Sequence, residues 1–293
     1  ELAVLAEGQS RMARAAQDPP LAGRYTSVAS RRFAHTSMTF ALIYHDLASA
    51  ETREQTGFPG PAAARYKLDI EAFDAHLDAI AASGVSVGPV SSGAGAALTF
   101  DDGGASALLA AEMLERRGWR GAFFVTTGRI GTPGFLTADG VRELVVRGHE
   151  VGSHSHTHPT YMGTLTREEL AGEWVASREI LAEVLGEPPP SAAVPGGFLS
   201  PTVLEEAAGA GYRLLMTSEP SARLSRRADM LVQGRFTIWA ATPPARAAAY
   251  ARGSRTARIA MWLAWQAKTG PKRVSPRSYE AVRQRWAQVR AAR

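Results

Sequence analysis

Two adjacent carboxylates and a cluster of histidines are the residues whose types and spacing could carry chemistry. Asp101 and Asp102 are adjacent and precede a glycine. The histidine cluster begins 52 residues after Asp102 and consists of His154, His156 and His158. Imidazole and carboxylate groups at this density suit zinc or a similar borderline metal. Because successive residues at a strand end diverge, one aspartate can bind a metal while the other acts on a reacting water.

Each cluster also has a plainer explanation. Asp is a good helix N-cap, and a helix is predicted from Ala105, although one cap does not need both acids. The histidines could be ordinary polar loop residues. If their segment turns helically, His154 and His158 share a face while His156 points away, whereas in an extended segment all three line one side. The sequence leaves these choices open.

Both clusters follow short apolar runs that alternate with helical patterns, which is typical of parallel βα units. The catalytic groups of a parallel barrel converge at the carboxyl ends of its strands. We therefore expect an α/β fold, a barrel or a distorted barrel of about seven parallel strands. The predicted strands are 38–44, 96–100, 121–126, 149–153, 191–194, 212–217 and 236–239, and the predicted helices are 69–83, 105–118, 137–147, 166–186 and 200–209.

Length and composition limit the class of protein. With 293 residues, 45% of them hydrophobic, the chain can bury one barrel of roughly 200 to 250 residues plus an appendage. There is no cysteine, so His, Asp or Glu must hold any metal. No basic segment followed by an apolar one opens the chain. A cytoplasmic or membrane-peripheral location is expected, and export stays open because the sequence begins with Glu1 instead of Met.

The charge is distributed unevenly. Residues 243–293 hold 12 Lys or Arg against one acid, although the net charge of the chain is only +5. We expect an N-terminal extension at 1–37, the barrel at 38–242 and a basic helical tail at 243–293. Such a tail can contact an anionic membrane surface, an acidic polymer or a partner protein, or be a solvated helix that binds nothing. No nucleic-acid partner is expected, and the tail should be dispensable for chemistry.

Three motifs in succession resemble the polysaccharide deacetylases with NodB homology, carbohydrate esterase family 4. They are Thr-Phe-Asp-Asp-Gly at 99–103, His-Ser-x-x-His-Pro at 154–159 and Pro-Gly-Gly at 195–197. The sequence around and between these motifs is also similar, from about residue 40 to residue 239. The resemblance implies a deformed (β/α) barrel and a divalent metal ion, zinc first, with cobalt or nickel as alternatives. It assigns the metal to Asp102, His154 and His158, and the role of base to Asp101.

Two positions depart from the family pattern. No histidine follows His158, where most members carry their catalytic acid. The Leu-Ile-Tyr-His-Asp stretch at 42–46 resembles that motif as the circularly permuted poly-N-acetylglucosamine deacetylases place it, so His45 is the expected acid. Its alternative is a structural histidine hydrogen-bonded to Asp46. Ala193 stands where many members carry an arginine that orients the base, and Arg235 is the candidate replacement.

The resemblance further implies that Gly196 and Gly197 form a loop that contacts the substrate and offers a backbone N–H to an oxyanion. A simple tight turn is the alternative explanation of these glycines. The expected activity is removal of N-acetyl groups from an N-acetylated glycan, with release of acetate. Two other functions stay open, hydrolysis of a non-sugar amide on the same fold and non-catalytic glycan binding or assembly.

Overall fold

One nine-stranded sheet organises the molecule. The structure, a computed structural model, describes residues 39–197, 199–227 and 230–274. The spatial order of the strands is β7-β8-β6-β5-β4-β3-β2-β1-β9. In chain order they are β1 Phe40–Tyr44, β2 Ala96–Phe100, β3 Ala122–Val125, β4 Glu150–Ser153, β5 Ser191–Ala193, β6 Leu214–Met216, β7 Leu224–Arg227, β8 Met230–Gln233 and β9 Arg235–Thr237.

All neighbouring strands pair in parallel except β7 and β8, which form an antiparallel pair at one edge. The two edge strands of the sheet are β7 and β9, and β9 follows β8 along the chain after Gly234 alone. At the start of β9 the Arg235 N–H donates to the Glu219 carbonyl at 2.9 Å. The predicted α/β fold with a deformed barrel is confirmed.

Helices cover the outside of the sheet. They are α1 Pro61–Ala64, α2 Ile70–Ala82, α3 Ala107–Glu115, α4 Ala138–Val146, α5 Arg167–Leu185, α6 Pro201–Gly209, α7 Pro244–Ala251 and α8 Arg255–Val274. Helix α5 begins with a capping box in which Thr166 and Glu169 bond each other's backbone N–H groups. No helix in the described part of the chain combines the length and apolarity needed to cross a bilayer.

The seven predicted strands are present, and the hairpin of β7 and β8 was missed. Strand β7 reads Leu-Ser-Arg-Arg and carries no apolar run, because it lies at an exposed edge. Strand β8 is buried but only four residues long, which is too short to show a period. The last predicted strand begins one residue early, at Arg235, and this shift decides where that arginine points.

Residue alternation along the strands separates the inside of the barrel from its helical coat. Small or narrow residues line the inside, and they include Ala41, Ala97, Ala122 and Ala193 around Phe124. Their strand neighbours pack outward against the helices. The interior therefore has room for polar side chains near the carboxyl ends of the strands.

The segment after residue 243 begins as part of the barrel packing. On α7, Ala247, Tyr250 and Ala251 are buried in the main core, and Ala257 and Met261 of α8 join them. The buried His76 of α2 reaches the Thr242 carbonyl at 2.8 Å with Nε2. The stretch up to Met261 therefore packs on the barrel, and the expectation that the tail is dispensable for chemistry stays a prediction. Residues 1–37 and the end of the tail lie outside the described residues.

Candidate metal and catalytic site

Inward alternation brings three of the predicted residues to one mouth of the barrel. His45 directly follows β1, Asp101 follows β2 and His154 follows β4. Each occupies the register of the inward side chains of its strand, two residues beyond the last inward one. Since the three strands run in parallel, their carboxyl ends meet at the same edge, so the side chains converge there.

Asp102 reaches the same site by a different route. Alternation would turn it away from Asp101, but its backbone has a φ of +76°. Among the described residues, the non-glycine residues with positive φ are Asp102, Ser155 and His158, and all three lie in the two predicted motifs. Left-handed backbone is strained outside glycine, and strain of this kind clusters at functional sites.

Asp102, His154 and His158 form a triad whose donor atoms all lie within 4.8 Å of one another. Asp102 Oδ1 is 3.5 Å from His154 Nε2 and 3.4 Å from His158 Nε2. Ligand atoms that share an ion at about 2.1 Å in a tetrahedral arrangement are about 3.4 Å apart. His154 Nδ1 donates to the Ala193 carbonyl at 2.9 Å, which leaves Nε2 as the free lone pair. The donor set therefore fits a divalent metal with nitrogen and oxygen ligands.

His156 is turned away from this triad. Its Nδ1 lies 3.1 Å from Thr127 Oγ1, and the ring is half-buried on the other side of the segment. The backbone from His154 to His158 is neither helix nor strand. Of the two arrangements that the sequence left open, the structure has His154 and His158 together and His156 apart.

Arg235 donates two hydrogen bonds to Asp101. Its two terminal nitrogens donate to the two carboxylate oxygens at 2.7 and 2.8 Å. The guanidinium also donates to Thr99 Oγ1 at 3.0 Å and to the Thr217 carbonyl at 3.2 Å, and it lies over the Phe124 ring. Arg235 is 0% exposed. It occupies the start of β9, whereas Ala193 lies on β5, and the predicted role of Arg235 in orienting Asp101 stays a prediction that this contact supports.

Charge pairing keeps both carboxylates ionised despite their burial. Burial alone would raise the pKa of Asp101, but Arg235 and His154 outweigh it and hold that pKa below its ordinary value. Burial likewise acts to raise the pKa of Asp102, and the adjacent His154 and His158 hold it well below. Both groups are therefore carboxylates at neutral pH, as a metal ligand and a base must be.

His45 lies beside these groups with one unused nitrogen. Its Nδ1 is buried and has no hydrogen-bond partner among the described residues. The ring packs on Tyr66, with centroids 4.6 Å apart. Burial lowers the pKa of His45, and the charges of Asp102 and Asp101 act in the opposite direction. The alternative role, a hydrogen bond to Asp46, is not made.

The Asp46 carboxylate instead accepts hydrogen bonds that hold the loop between β1 and Tyr66 in place. It accepts from Thr56 Oγ1 at 2.8 Å and from Ser106 Oγ at 2.9 Å. Gly57 and Gly104 pack so close that an added Cβ would lie within 2 Å of its oxygens. The loop ends at Tyr66 and also carries Phe58, whose ring packs on His158 at 4.7 Å. Sequence reasoning missed this loop because neither aromatic residue stands in a recognisable motif.

The two glycines of the third motif differ in what they can do. The Gly197 N–H donates to the Val194 carbonyl at 2.8 Å, so it is not available to an oxyanion in this conformation. An added Cβ at Gly197 would lie 1.8 Å from Ser218 Oγ, which makes glycine necessary for the tight turn. Gly196 is exposed at the tip of the turn with a φ of +64°. The oxyanion role expected of these glycines stays a prediction, and the engaged Gly197 N–H favours Gly196 as the donor.

Comparison with known proteins found a family model that matches part of the chain. Residues 91–215 match the family described as polysaccharide deacetylase, which confirms the resemblance seen in the motifs. The match supports a deacetylase, and hence a hydrolase. No curated protein sequence matches the chain.

Solved structures share the fold. A polysaccharide deacetylase from Bacillus cereus has a TM-score of 0.62 at 19% identity, over 73% of this chain and 68% of that chain. IcaB from Ammonifex degensii has a TM-score of 0.59 at 24% identity, over 74% and 98% respectively. The deacetylase PplD from Streptococcus pyogenes has a TM-score of 0.58 at 22% identity, over 70% and 94%. At these identities the likeness is one of fold.

Proposed function

We propose that this chain, whose residues 91–215 match the polysaccharide deacetylase family, is a metal-dependent hydrolase that removes N-acetyl groups from sugar residues of a polysaccharide or oligosaccharide. One observation carries this proposal. The triad of Asp102, His154 and His158 lies beside Asp101, and Arg235 holds that carboxylate from the opposite side. A metal site with an adjacent ionised base is what hydrolysis of an unreactive amide requires.

In this proposal the residues divide the work. Asp102, His154 and His158 would hold a divalent ion, with zinc the first choice and cobalt or nickel the alternatives. The ion would supply Lewis-acid polarisation of the acetyl carbonyl and of the attacking water. Asp101 accepts a proton from that water while the water oxygen bonds to the acetyl carbon. Arg235 keeps Asp101 ionised and fixes its orientation.

The remaining steps concern the oxyanion and the leaving group. The Gly196 N–H is the proposed backbone donor to the developing oxyanion. His45, protonated, donates its proton to the amine nitrogen as the carbon–nitrogen bond breaks. Burial opposes the charged form of His45, and the nearby carboxylates favour it. The products are acetate and a free amino sugar.

Two rival functions give different results in one experiment. The protein is incubated with chitin oligomers, poly-N-acetylglucosamine oligomers and an N-acetyl arylamide, and acetate is measured with and without chelator. We expect acetate from a glycan and little from the arylamide. Acetate from the arylamide alone would identify a non-sugar amidase. Binding of an oligomer without acetate release would identify a non-catalytic glycan-binding protein.

We also propose that the C-terminal segment binds an anionic membrane surface. Helix α8 buries Ala257 and Met261 and exposes Ile259, Trp262 and Leu263 on its other side, at 55%, 43% and 57%. No acid occurs between Pro243 and Tyr279, whereas basic residues recur throughout. An apolar stripe on a basic helix is the composition of helices that lie in the interface of anionic bilayers.

Vesicle binding tests this proposal with a matched control. The full chain should bind phosphatidylserine-containing vesicles more tightly than phosphatidylcholine vesicles, and Trp262→Ser with Leu263→Ser should weaken that binding. Val175→Ser is the control, because Val175 is also exposed but lies on α5. Equal binding to both vesicle types, or preference for a soluble acidic polymer, would contradict it. A chain ending at Thr242 is not a suitable control, since it would expose the core under α7.

A further inference from the structure

One acidic side chain outside the triad, that of Glu173, makes its hydrogen bonds with the histidine segment. Glu173 lies on α5, 15 residues after His158. Its Oε2 accepts the backbone N–H of His156 at 2.9 Å and that of Thr157 at 2.8 Å. Its Oε1 accepts a short hydrogen bond from Thr157 Oγ1. In the described part of the chain Glu173 makes no salt bridge with Lys or Arg.

The segment that Glu173 holds needs external support. Ser155 and His158 have φ values of 63° and 62°, in the left-handed region that side chains disfavour. Such a conformation persists only where surrounding contacts over-determine it. Two successive N–H groups directed at one carboxylate oxygen supply that kind of constraint, and hydrogen bonds to a charged acceptor are the stronger ones.

Other contacts also hold the segment, and at its centre the His156 carbonyl is bonded in addition to the N–H whose hydrogen bond Glu173 accepts. The Gly128 N–H donates to the His156 carbonyl at 2.8 Å, and the His158 N–H donates to Ser155 Oγ at 3.1 Å. One helical turn beyond Glu173, Ser177 Oγ lies 2.6 Å from Ser153 Oγ at the base of the segment. Helix α5 therefore holds the histidine segment at two points, and Glu173 is the point next to His158.

We propose that Glu173 is a positioning residue that sets the conformation of the segment and thereby the place of the His158 imidazole in the metal site. The proposal rests on the proposed function in one respect, that His158 is a metal ligand. Glu173 contributes no atom to the metal. It acts through the backbone of residues 156–158, so its loss changes the affinity and geometry of the site without removing a ligand.

Metal binding provides the test, independently of catalysis. Zinc affinity is measured by competition with a chromophoric chelator, and cobalt-substituted protein gives a visible spectrum that reports coordination geometry. Glu173→Ala should weaken zinc binding about 10- to 100-fold, the usual effect of losing a residue that orients a ligand. Glu173→Gln keeps one oxygen acceptor and should fall between Glu173→Ala and the wild type. Both variants should alter the cobalt spectrum.

Two controls separate positioning from general stability. Glu179→Gln changes an exposed glutamate on the same helix and should leave zinc affinity unchanged. His158→Ala removes a proposed ligand and sets the scale of full loss. If Glu173 only stabilised the fold, its variants would unfold at lower denaturant while binding zinc as tightly as the wild type, and this result would overturn the inference. If His158→Ala also bound zinc normally, the metal assignment in the proposed function would fail instead.

Discussion

Arg235 and Asp101 form a bidentate ion pair inside the barrel, with nitrogen-to-oxygen distances of 2.7 and 2.8 Å. Both residues are buried, at 0% and 6% exposure. Paired charges in such surroundings are stable only while both partners are present. The pair therefore links the ionisation of the proposed base, which follows β2, to one arginine on β9, on the far side of β1.

Replacing Arg235 should change the pH dependence of catalysis. In Arg235→Met, burial would no longer be opposed by the guanidinium, so the pKa of Asp101 should rise. The base works as a carboxylate, so the acidic limb of kcat/KM should move to higher pH and activity at pH 6 should fall more than activity at pH 8. Arg235→Lys keeps the charge and should show a smaller shift. An acidic limb that does not move in Arg235→Met would separate Arg235 from the base.

The metal triad predicts that substitutions within it and beside it have unequal effects on zinc binding. Asp102→Ala and His154→Ala should each lose tight zinc, because three protein ligands leave little redundancy. His156→Ala should keep it, since the His156 ring faces Thr127. Elemental analysis of the purified proteins measures this directly. Stoichiometric zinc in Asp102→Ala, or its loss in His156→Ala, would show that the triad is wrongly assigned.

His45 should matter most where the leaving group is poor. With His45→Ala, protonation of the departing amine is lost while the metal ligands stay in place, so turnover of an N-acetyl sugar should fall about 10²- to 10⁴-fold. Turnover of an activated acetate ester, which needs no proton, should fall far less. The ester is the internal control for folding and metal content. Equal losses on both substrates would remove His45 as the acid.

Asp46 should make stability depend on pH. Burial, followed by the Asp102 charge, raises the pKa of Asp46 to about 6 from 3.8. The folded protein then holds this proton more tightly than the unfolded chain, so the contribution of Asp46 to stability is present at low pH and declines as pH rises towards 6. About two pKa units correspond to about 3 kcal/mol.

Asp46→Asn removes that titration. The stability of Asp46→Asn relative to the wild type should therefore improve by about 3 kcal/mol between pH 4 and pH 7, as measured by urea unfolding of both proteins. Asp139→Asn is a suitable control because its carboxylate is exposed on α4. A difference between Asp46→Asn and the wild type that is constant with pH would show that Asp46 is not the buried titrating group.

The sequence predicted seven of the nine strands because most of these are short apolar runs bounded by turn residues. Their inward alternation then brings His45, Asp101 and His154 together, and the distances among the metal triad could be expected in outline. The roles of these residues stay predictions. What alternation could not show is the positive φ of Asp102, which turns a second aspartate into the site.

Other features depend on contacts between distant parts of the chain. Arg235 and Asp101 are 134 residues apart, and only the register of β9 against β1 directs the arginine inward. Glu173 looks like one more glutamate on the solvated face of a helix, because its acceptors are backbone groups of a loop. The packing of α7 was hidden by the charge pattern, since the helix lies in the basic stretch, with Arg246 inside it and Arg252 directly after it.

The most direct test of the proposed mechanism measures both products of the same reaction. Protein stripped with chelator is reloaded with one equivalent of zinc and given poly-N-acetylglucosamine oligomers, and acetate and new free amine are measured in the same sample, with Asp101→Asn in parallel. The proposed mechanism predicts equal amounts of acetate and amine from the reloaded protein, none from the stripped protein, and about 10²- to 10⁴-fold slower release from a zinc-loaded Asp101→Asn. Acetate release by stripped protein at the wild-type rate, or full activity of Asp101→Asn, would contradict it.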